Sequence, residues 1–428
     1  MLDIAFIRQN ADVVRAAIKN KRVELDLDEL LNADKERRET IAKLEQKRAR
    51  KNEIAGLIPK ASKEDRPKLI EEGKSVKGEL ETLEPALVSV QKRFDDLMLR
   101  VPSIPRPEVP IGAGEEDNVE VKKVGTPRKF DFTPKDHVEL FTLHKWVEWD
   151  GPRRFAGARS YALRGMGALL ENAVLRLAID VLMERGMTLI TPPVMVKERA
   201  MTGTGFFPFG REEAYAITED ELFLVGTSEV PLVSLHCDET LDAASLPIRY
   251  AGYSNCFRRE AGAHGKDTKG LYRVHQFTKI EQVVFCLPDE EVAEKEHYGL
   301  LGNAEAIVQT LEIPYRVALA CTGEIGIGQT RKHEVESWMP GRNDGKGAYN
   351  ETHSCSTLGD FQSRRSNIRV RLPDGTLSYP YTLNNTAIAS PRILIPLLEN
   401  HQNADGSITL PKALVRYMNG IEVLKPPS

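Results

Sequence analysis

An arginine and two carboxylates flank a short run rich in glycine and lysine. Arg258 and Glu260 precede it, Glu281 follows it, and Gly262, Gly265 and Gly270 lie between. The flanks, Tyr253–Glu260 and Arg273–Phe285, alternate and carry aromatic and β-branched residues, the pattern of two strands joined by a loop. A fixed cation, an aromatic ring (Phe277) and a carboxylate on one sheet suit a site that grips a nucleotide together with a small ammonium-bearing substrate. An ordinary exposed hairpin with its charges in water accounts for the same residues equally well. Spacing alone leaves the two readings level.

Residues of the same kinds recur along the chain as Thr227-Ser228-Glu229, Glu351-Thr352-His353-Ser354, Asn384-Asn385-Thr386 and Arg392. Two arginines can hold the two ends of a triphosphate while acidic groups carry Mg²⁺ between them. Taken singly, each residue has an ordinary structural use: Glu229 as an ion-pair partner, Arg392 over the start of a helix Pro391–Asn400. Familiar motifs are missing. Gly262–Lys266 is too short for a P-loop, no G-x-G-x-x-G follows a strand, and no G-x-S-x-G serine appears. His297 and His333 have no partner at metal-binding spacing. The five cysteines (Cys237, Cys256, Cys286, Cys321, Cys355) form no C-x-x-C pair, so neither a disulfide framework nor a cysteine-rich zinc site is indicated.

Elements must bring these dispersed groups together, and 428 residues suffice for two or three domains. A hydrophobic content of 41% with 29% charge is that of a soluble globular protein. No apolar run approaches the ~20 residues needed to span a bilayer, so no membrane partner is expected. The N-terminus mixes acidic and apolar residues, unlike a signal or transit peptide, and a cytoplasmic location with reduced thiols is expected. A net charge of −4 excludes a globally basic nucleic-acid binder but not a local basic patch.

The first hundred residues differ from the rest. Leu69, Val76, Leu80, Leu83, Leu87, Val90, Phe94, Leu97 and Val101 keep a 3-4 spacing. A weaker seam (Leu27, Leu30, Ile41, Leu44, Ala55, Ile58) is interrupted by Asp34, Arg37, Arg48 and Lys51. With Pro59–Pro67 as the turn, the two segments form an antiparallel helical hairpin over about 27–101, roughly 50 Å long at about 1.5 Å per residue. It is too thin to have a core beyond the seam, and Gly78 and Pro85 should kink or weaken its second helix. Lys35–Lys68 holds twelve Lys or Arg against six Asp or Glu. That balance describes either a solvated surface laced with ion pairs or an arm that touches a polyanion through phosphates. The division expected is 1–101 for the arm-bearing domain, a Pro- and Gly-rich linker over 102–134, and a catalytic domain over 135–428. In the last, helical stretches such as Gly165–Arg185 alternate irregularly with strand-like runs (Thr188–Ile190, Glu221–Leu224, Phe277–Phe285, Tyr315–Leu319, Asn367–Arg371). This favours α+β with a largely antiparallel sheet.

The whole set resembles a class II aminoacyl-tRNA synthetase, specifically of the seryl family. Gly186–Met195 is similar to motif 1, the dimer-interface element. Phe257-Arg258-Arg259-Glu260 through Glu281 is similar to motif 2, and Leu383–Asn400 to motif 3. Thr227-Ser228-Glu229, His275-Gln276-Phe277, Glu351–Cys355 and Asp360–Arg365 resemble the seryl branch in particular, and the likeness runs from Met1 to about Gly420. It implies a homodimeric, ATP-dependent serine–tRNA ligase, with seryl-adenylate and pyrophosphate formed first. The seryl group would then pass to the terminal adenosine of tRNA(Ser), and of tRNA(Sec) where present.

The resemblance also implies roles. Arg258 would contact the α-phosphate of ATP and Arg392 the γ-phosphate, with Glu260 near an adenine stacked on Phe277; these two arginines and Glu260 would be the catalytic set. Arg259, Arg273, Val274, Thr352 and His353 would complete the ATP site, and Glu351 with Ser354 would hold Mg²⁺. Thr227, Ser228, Glu229, Arg258, Glu281 and Thr386 would form the serine pocket. No zinc is implied. The sequence departs from the family in having Arg331-Lys332-His333-Glu334 where Lys-x-Tyr-Asp is usual, in a small insertion at Asn343–Lys346, and in Pro85. Two other functions fit the catalytic block: a paralogue that charges a carrier protein, and a degenerate synthetase-like binding protein. The arm counts against the first, and intact Arg258, Glu281, Glu351 and Arg392 against the second.

Overall fold

A computed structural model describes residues 1–261 and 270–427. Gly262, Gly265, Lys266 and Lys269 of the glycine- and lysine-rich run lie outside the described residues. The chain divides into two compact units, Met1–Pro102 and Ser103–Ser428.

The first unit is helical: α1 (Ile4–Gln9), α2 (Ala11–Asn20), α3 (Leu27–Leu57) and α4 (Arg66–Met98). The Asp26 carboxylate caps α3 by accepting from the backbone N–H groups of Asp28 and Glu29. Pro67 sits in the first turn of α4, where its missing N–H costs nothing. Between the long helices, Leu44, Ile54, Val76 and Leu80 are buried along the seam. Ile54 takes the place expected of Ala55, which is exposed; the charges interrupting the first seam leave its phase ambiguous by one residue. The hairpin also has a core at its base, which the seam alone does not foretell. Ile7 and Val14 of the two short helices pack there with Leu27, Leu30, Phe94 and Met98. Asp34, which interrupts the seam, is fully buried and held by Arg8 at 3.3 Å and Arg38 at 3.0 Å. α4 continues through Pro85 as one helix.

The second unit is built on an eight-stranded sheet. Its strands are β1 (Val119–Val124), β2 (Thr188–Ile190), β3 (Ile248–Phe257), β4 (Gln276–Cys286), β5 (Tyr315–Leu319), β6 (Arg331–Met339), β7 (Ala348–Gly359) and β8 (Tyr381–Ser390). The spatial order is β1-β5-β6-β7-β8-β4-β3-β2. Every neighbouring pair is antiparallel except β2 with β3. The α+β, largely antiparallel architecture is therefore as the irregular alternation of elements indicates. The stretch 102–134 is not a plain linker over Val119–Val124, which forms the edge strand β1 against β5. All six of its side chains are at least partly exposed, so no buried face marks it as a strand.

Alternation along β4 divides the sheet's two faces. Ile280, Val284 and Cys286 point into the main core, shared with Leu170, Val174 and Leu177 of α5 (Met166–Glu184) and Leu300 and Ile307 of α6 (Glu290–Thr310). On the other face Val283 and Phe285 pack against Leu232 and Val233. Phe277, Lys279 and Glu281 follow the same parity along that second face. No helix among the described residues is long and apolar enough to cross a membrane.

Candidate active site

Thirteen of the sixteen sequence-predicted residues line one cavity on this second face. They are Thr227, Glu229, Arg258, Glu260, Arg273, Val274, Phe277, Glu281, Glu351, Thr352, Ser354, Thr386 and Arg392. The strand flanks thus face a common cavity. Ser228, Arg259 and His353 stand outside the lining. Ser228 is fully buried, its Oγ bonded to Gly252 O at 3.1 Å and Ser254 Oγ at 2.6 Å. Arg259 is exposed and donates to Glu212 O at 3.2 Å. His353 points away, bonded through Nδ1 to Thr352 Oγ1 at 2.8 Å, and burial pushes its pKa down to about 4.

Three backbone devices gather these groups. Gly252 lies opposite Glu281 across β3 and β4. A Cβ there would stand 2.7 Å from both Ser228 Cβ and Leu232 Cδ1, so only glycine lets the Thr227–Glu229 turn approach the sheet. The second device is a bulge in β7. Val335 pairs with His353 but Glu336 with Glu351, so Thr352 is the extra residue. Glu351 and Ser354, three apart, would otherwise face opposite sides; the bulge turns both to the cavity. The third is a bulge in β8, where Ile280 pairs with Ile388 but Glu281 with Thr386, leaving Ala387 extra. It sets Thr386 directly beside Glu281, with Oγ1 and Oε2 3.4 Å apart.

Two places differ from the expected elements. The strand predicted through Glu260 ends at Phe257, and Glu260 takes a left-handed φ of +53°; this turn carries Arg258 and Glu260 off the sheet edge and over the cavity. The helix expected from Pro391 begins at Leu394, as α7 (Leu394–His401). Pro391 and Arg392 form the turn before it. From there Arg392 reaches Tyr272 O at 3.3 Å, Glu351 O at 3.2 Å and Glu351 Oε2 at 3.4 Å, with its guanidinium 4.2 Å from the Tyr272 ring centre.

The cavity holds charge of both signs. Its arginines are Arg258, whose guanidinium lies 5.2 Å from the Phe277 ring centre, Arg273 and Arg392. Arg273 pairs with Glu260 at 3.4 Å. Burial raises the Glu351 carboxyl, but Arg392, Lys332, Arg258 and Arg273 outweigh it and hold it below the usual range. Two further carboxylates, Glu229 and Glu281, line the same cavity. Burial, reinforced by the neighbouring Glu281, pushes Glu229 up to about 7. Glu281 is buried and ion-paired to Lys279.

Lys279 went unnamed in the sequence reading, although its position between Phe277 and Glu281 at strand period two was a usable signal. Tyr272, Gln329 and Phe206 also line the cavity, and their types carried no such signal. The Arg331–Glu334 departure divides between two faces. Lys332 and Glu334 pair at 2.6 Å on the Glu351 side, set back from the lining, and burial pushes Glu334 up to about 7. His333 lies on the core side, its Nδ1 2.8 Å from His297 Nε2.

A largely antiparallel sheet with its long helices on one face and this site on the other is the architecture of a class II synthetase core. Residues 214–401 accordingly match the tRNA synthetase class II core domain (G, H, P, S and T), and residues 1–105 the seryl-tRNA synthetase N-terminal domain. A serine–tRNA ligase of Deinococcus radiodurans is 48% identical over 427 residues, covering 100% of both chains. One of Rubrobacter xylanophilus is 42% identical, covering 100% of this chain and 99% of that protein. Among solved structures, the seryl-tRNA synthetase of Pyrococcus horikoshii complexed with ATP superposes with a TM-score of 0.92 at 35% identity, covering 100% of each chain. The chain belongs to the seryl-tRNA synthetase family.

Proposed function

We propose that the cavity condenses ATP with L-serine and then delivers the seryl group to tRNA. Members of this family are serine–tRNA ligases, and that is the activity of this chain. The observation that carries the site assignment is the gathering of both charge signs in one enclosure: Arg258, Arg273 and Arg392 together with Glu229 and Glu281. A triphosphate suits the arginines and an ammonium group the two carboxylates.

In the first step a serine carboxylate oxygen attacks the α-phosphorus of ATP. The bond to the bridging oxygen breaks and pyrophosphate leaves. No side-chain nucleophile is needed, so the protein's work is alignment and relief of charge. Arg258 holds the α-phosphate and Arg392 the γ-phosphate. Phe277 supports the adenine beside Glu260, and Arg273 and Val274 flank the nucleotide. Thr227 and Glu229 take the serine ammonium; Glu281 and Thr386 take its hydroxyl. Ser228 anchors the Thr227–Glu229 turn, while Thr352 and His353 fix the bulge that presents Glu351. Arg259 stands at the outer rim of the ATP side. A pocket that hydrogen-bonds a hydroxyl rejects alanine, whose entry leaves buried polar groups unpaired. In the second step a hydroxyl of the terminal adenosine of tRNA(Ser) attacks the seryl carbonyl and AMP leaves.

Glu351 and Ser354 share a face and offer only hard oxygen donors, a set that suits Mg²⁺ arriving with the phosphates. They would hold it there, and bound, it would neutralise phosphate charge. The basic helical hairpin is the part suited to the tRNA backbone. A homodimer through the Gly186–Met195 region is supported by the partly exposed Met183, Leu189 and Met195, and by β2 being an edge strand. A cytoplasmic location accords with this activity.

Serine-dependent ATP–pyrophosphate exchange, followed by charging of tRNA(Ser), tests the reading. Both activities are expected. Exchange without charging would favour a carrier-charging paralogue, and absence of exchange would overturn the site assignment.

A further inference from the structure

We infer that Gln362 is a positioning residue for serine recognition, aiming the Glu229 carboxylate into the cavity and holding it as the anion that receives the substrate ammonium. The inference deepens the assignment of Glu229 to the serine pocket and rests on it.

Gln362 belongs to the short helix Phe361–Arg365, is 1% exposed and does not line the cavity. Its Nε2 donates to Glu229 Oε1 at 2.7 Å and to Thr204 O at 3.2 Å. Its Oε1 accepts from Thr382 Oγ1 at 2.7 Å. The Thr204 carbonyl can only accept, so it fixes which end of the amide faces Glu229, and the Thr382 hydroxyl donates to the other end; the amide presents its N–H donors and not its carbonyl.

Glu229 needs such a partner because its surroundings oppose its charge. Glu281 on β4 adds like charge, and burial removes water; Lys279 on β4 and Arg258 after β3 act the other way. Lys279 is already engaged by Glu281. If Glu229 took up a proton, it would lose the charge that draws an ammonium. A lysine or arginine in place of Gln362 would keep Glu229 ionised but would also neutralise it and compete with the substrate. A neutral amide donates at every pH and leaves the negative charge for serine. A hydrogen bond to the charged form favours that form.

The test uses the full chain in serine-dependent ATP–pyrophosphate exchange. Gln362→Met keeps the volume and removes the donors. It should raise the KM for serine roughly tenfold or more, leave the KM for ATP within about twofold, and move the acid limb of kcat/KM for serine to higher pH. Gln362→Glu should be worse, since it sets a third carboxyl against Glu229 and Glu281. A parallel rise in both KM values, or a fall in kcat with no movement of the pH profile, would mean that Gln362 merely packs and would overturn the inference. Should Gln362→Met fail to fold by thermal unfolding, Thr382→Val removes the hydroxyl that anchors the amide oxygen and loosens the side chain's aim. It should give the same selective change at smaller amplitude; no change in the serine KM would count equally against the idea. Glu229→Gln separates the two levels. If it leaves the serine KM unchanged, the pocket assignment is what fails. If it raises the KM while Gln362→Met does not, only the positioning role fails. The double variant should lose no more than Glu229→Gln alone.

Discussion

The hairpin and the cavity use the same charged residues in opposite ways. Along the hairpin, Arg48–Glu84 at 2.9 Å, with both partners exposed, and Arg50–Glu72 at 2.7 Å, with both partly exposed, cross between α3 and α4. Such pairs are interchangeable: each contributes at most about 1 kcal/mol and is screened by salt. Lys43, Lys51, Lys60 and Lys63 are exposed as well, a diffuse positive surface suited to a backbone of phosphates. In the cavity no charge is interchangeable. Arg392 is fixed by Tyr272 and Glu351, Glu281 by Lys279 and Thr386, and Glu229 by Gln362. Diffuse charge gives attraction; fixed charge gives alignment.

The contrast can be broken or sharpened by experiment. Arg258→Ala should lower pyrophosphate exchange by about 1,000-fold or more, the scale of losing a fixed donor at a reacting phosphate; retained exchange would mean that the cavity's arginines are as replaceable as the hairpin's. Deleting Lys35–Pro85 should leave exchange within a few-fold of normal and remove tRNA charging. Full charging by that deletion would end the assignment of the hairpin to tRNA. Gly252→Ala forces a Cβ against Ser228 and Leu232 and should destabilise the fold by about 1–3 kcal/mol, with a raised KM for serine.

A pH effect comes next in size. Burial, helped by Arg331, pushes His333 from 6.5 down to about 4 and lowers His297 well below its usual value, while Glu294 pulls His333 the other way. As pH falls below 6.5 the unfolded chain therefore takes up protons before the folded one. The pair's stability contribution is present above that value and lost toward about pH 4. Glu334, raised by burial, works in the opposite sense, so the pair is isolated by comparison: His333→Phe should move the acid-unfolding midpoint to lower pH. Smallest of all, Arg48→Ala should change stability by less than about 1 kcal/mol, as read from urea unfolding.

Much of this was legible in the residues. The second seam, the strands Thr188–Ile190 and Tyr315–Leu319, and the shared strand face of Phe277 and Glu281 follow from periodicity that the fold obeys. The base core around Ile7 and Phe94 was not, because two short helices bury too few positions to show a period. Strand β1 was hidden for the related reason that it has no buried face. In the site, residue types singled out groups that share one cavity, but their convergence did not follow from spacing. Glu351 and Ser354 are three apart in a strand, a parity that argues against a shared face unless a bulge is known. The resemblance to a family supplied what periodicity could not.

The bulge at Thr352 makes β7 a counter of residues as well as a carrier of side chains. A substitution at Thr352 would alter one contact. Its deletion would leave only one of Glu351 and Ser354 facing the cavity, and would turn over every residue on the other's side as far as the strand's end. This stretch can therefore change in spelling but not in length, so variation by insertion or deletion is closed to it even where variation by replacement is open.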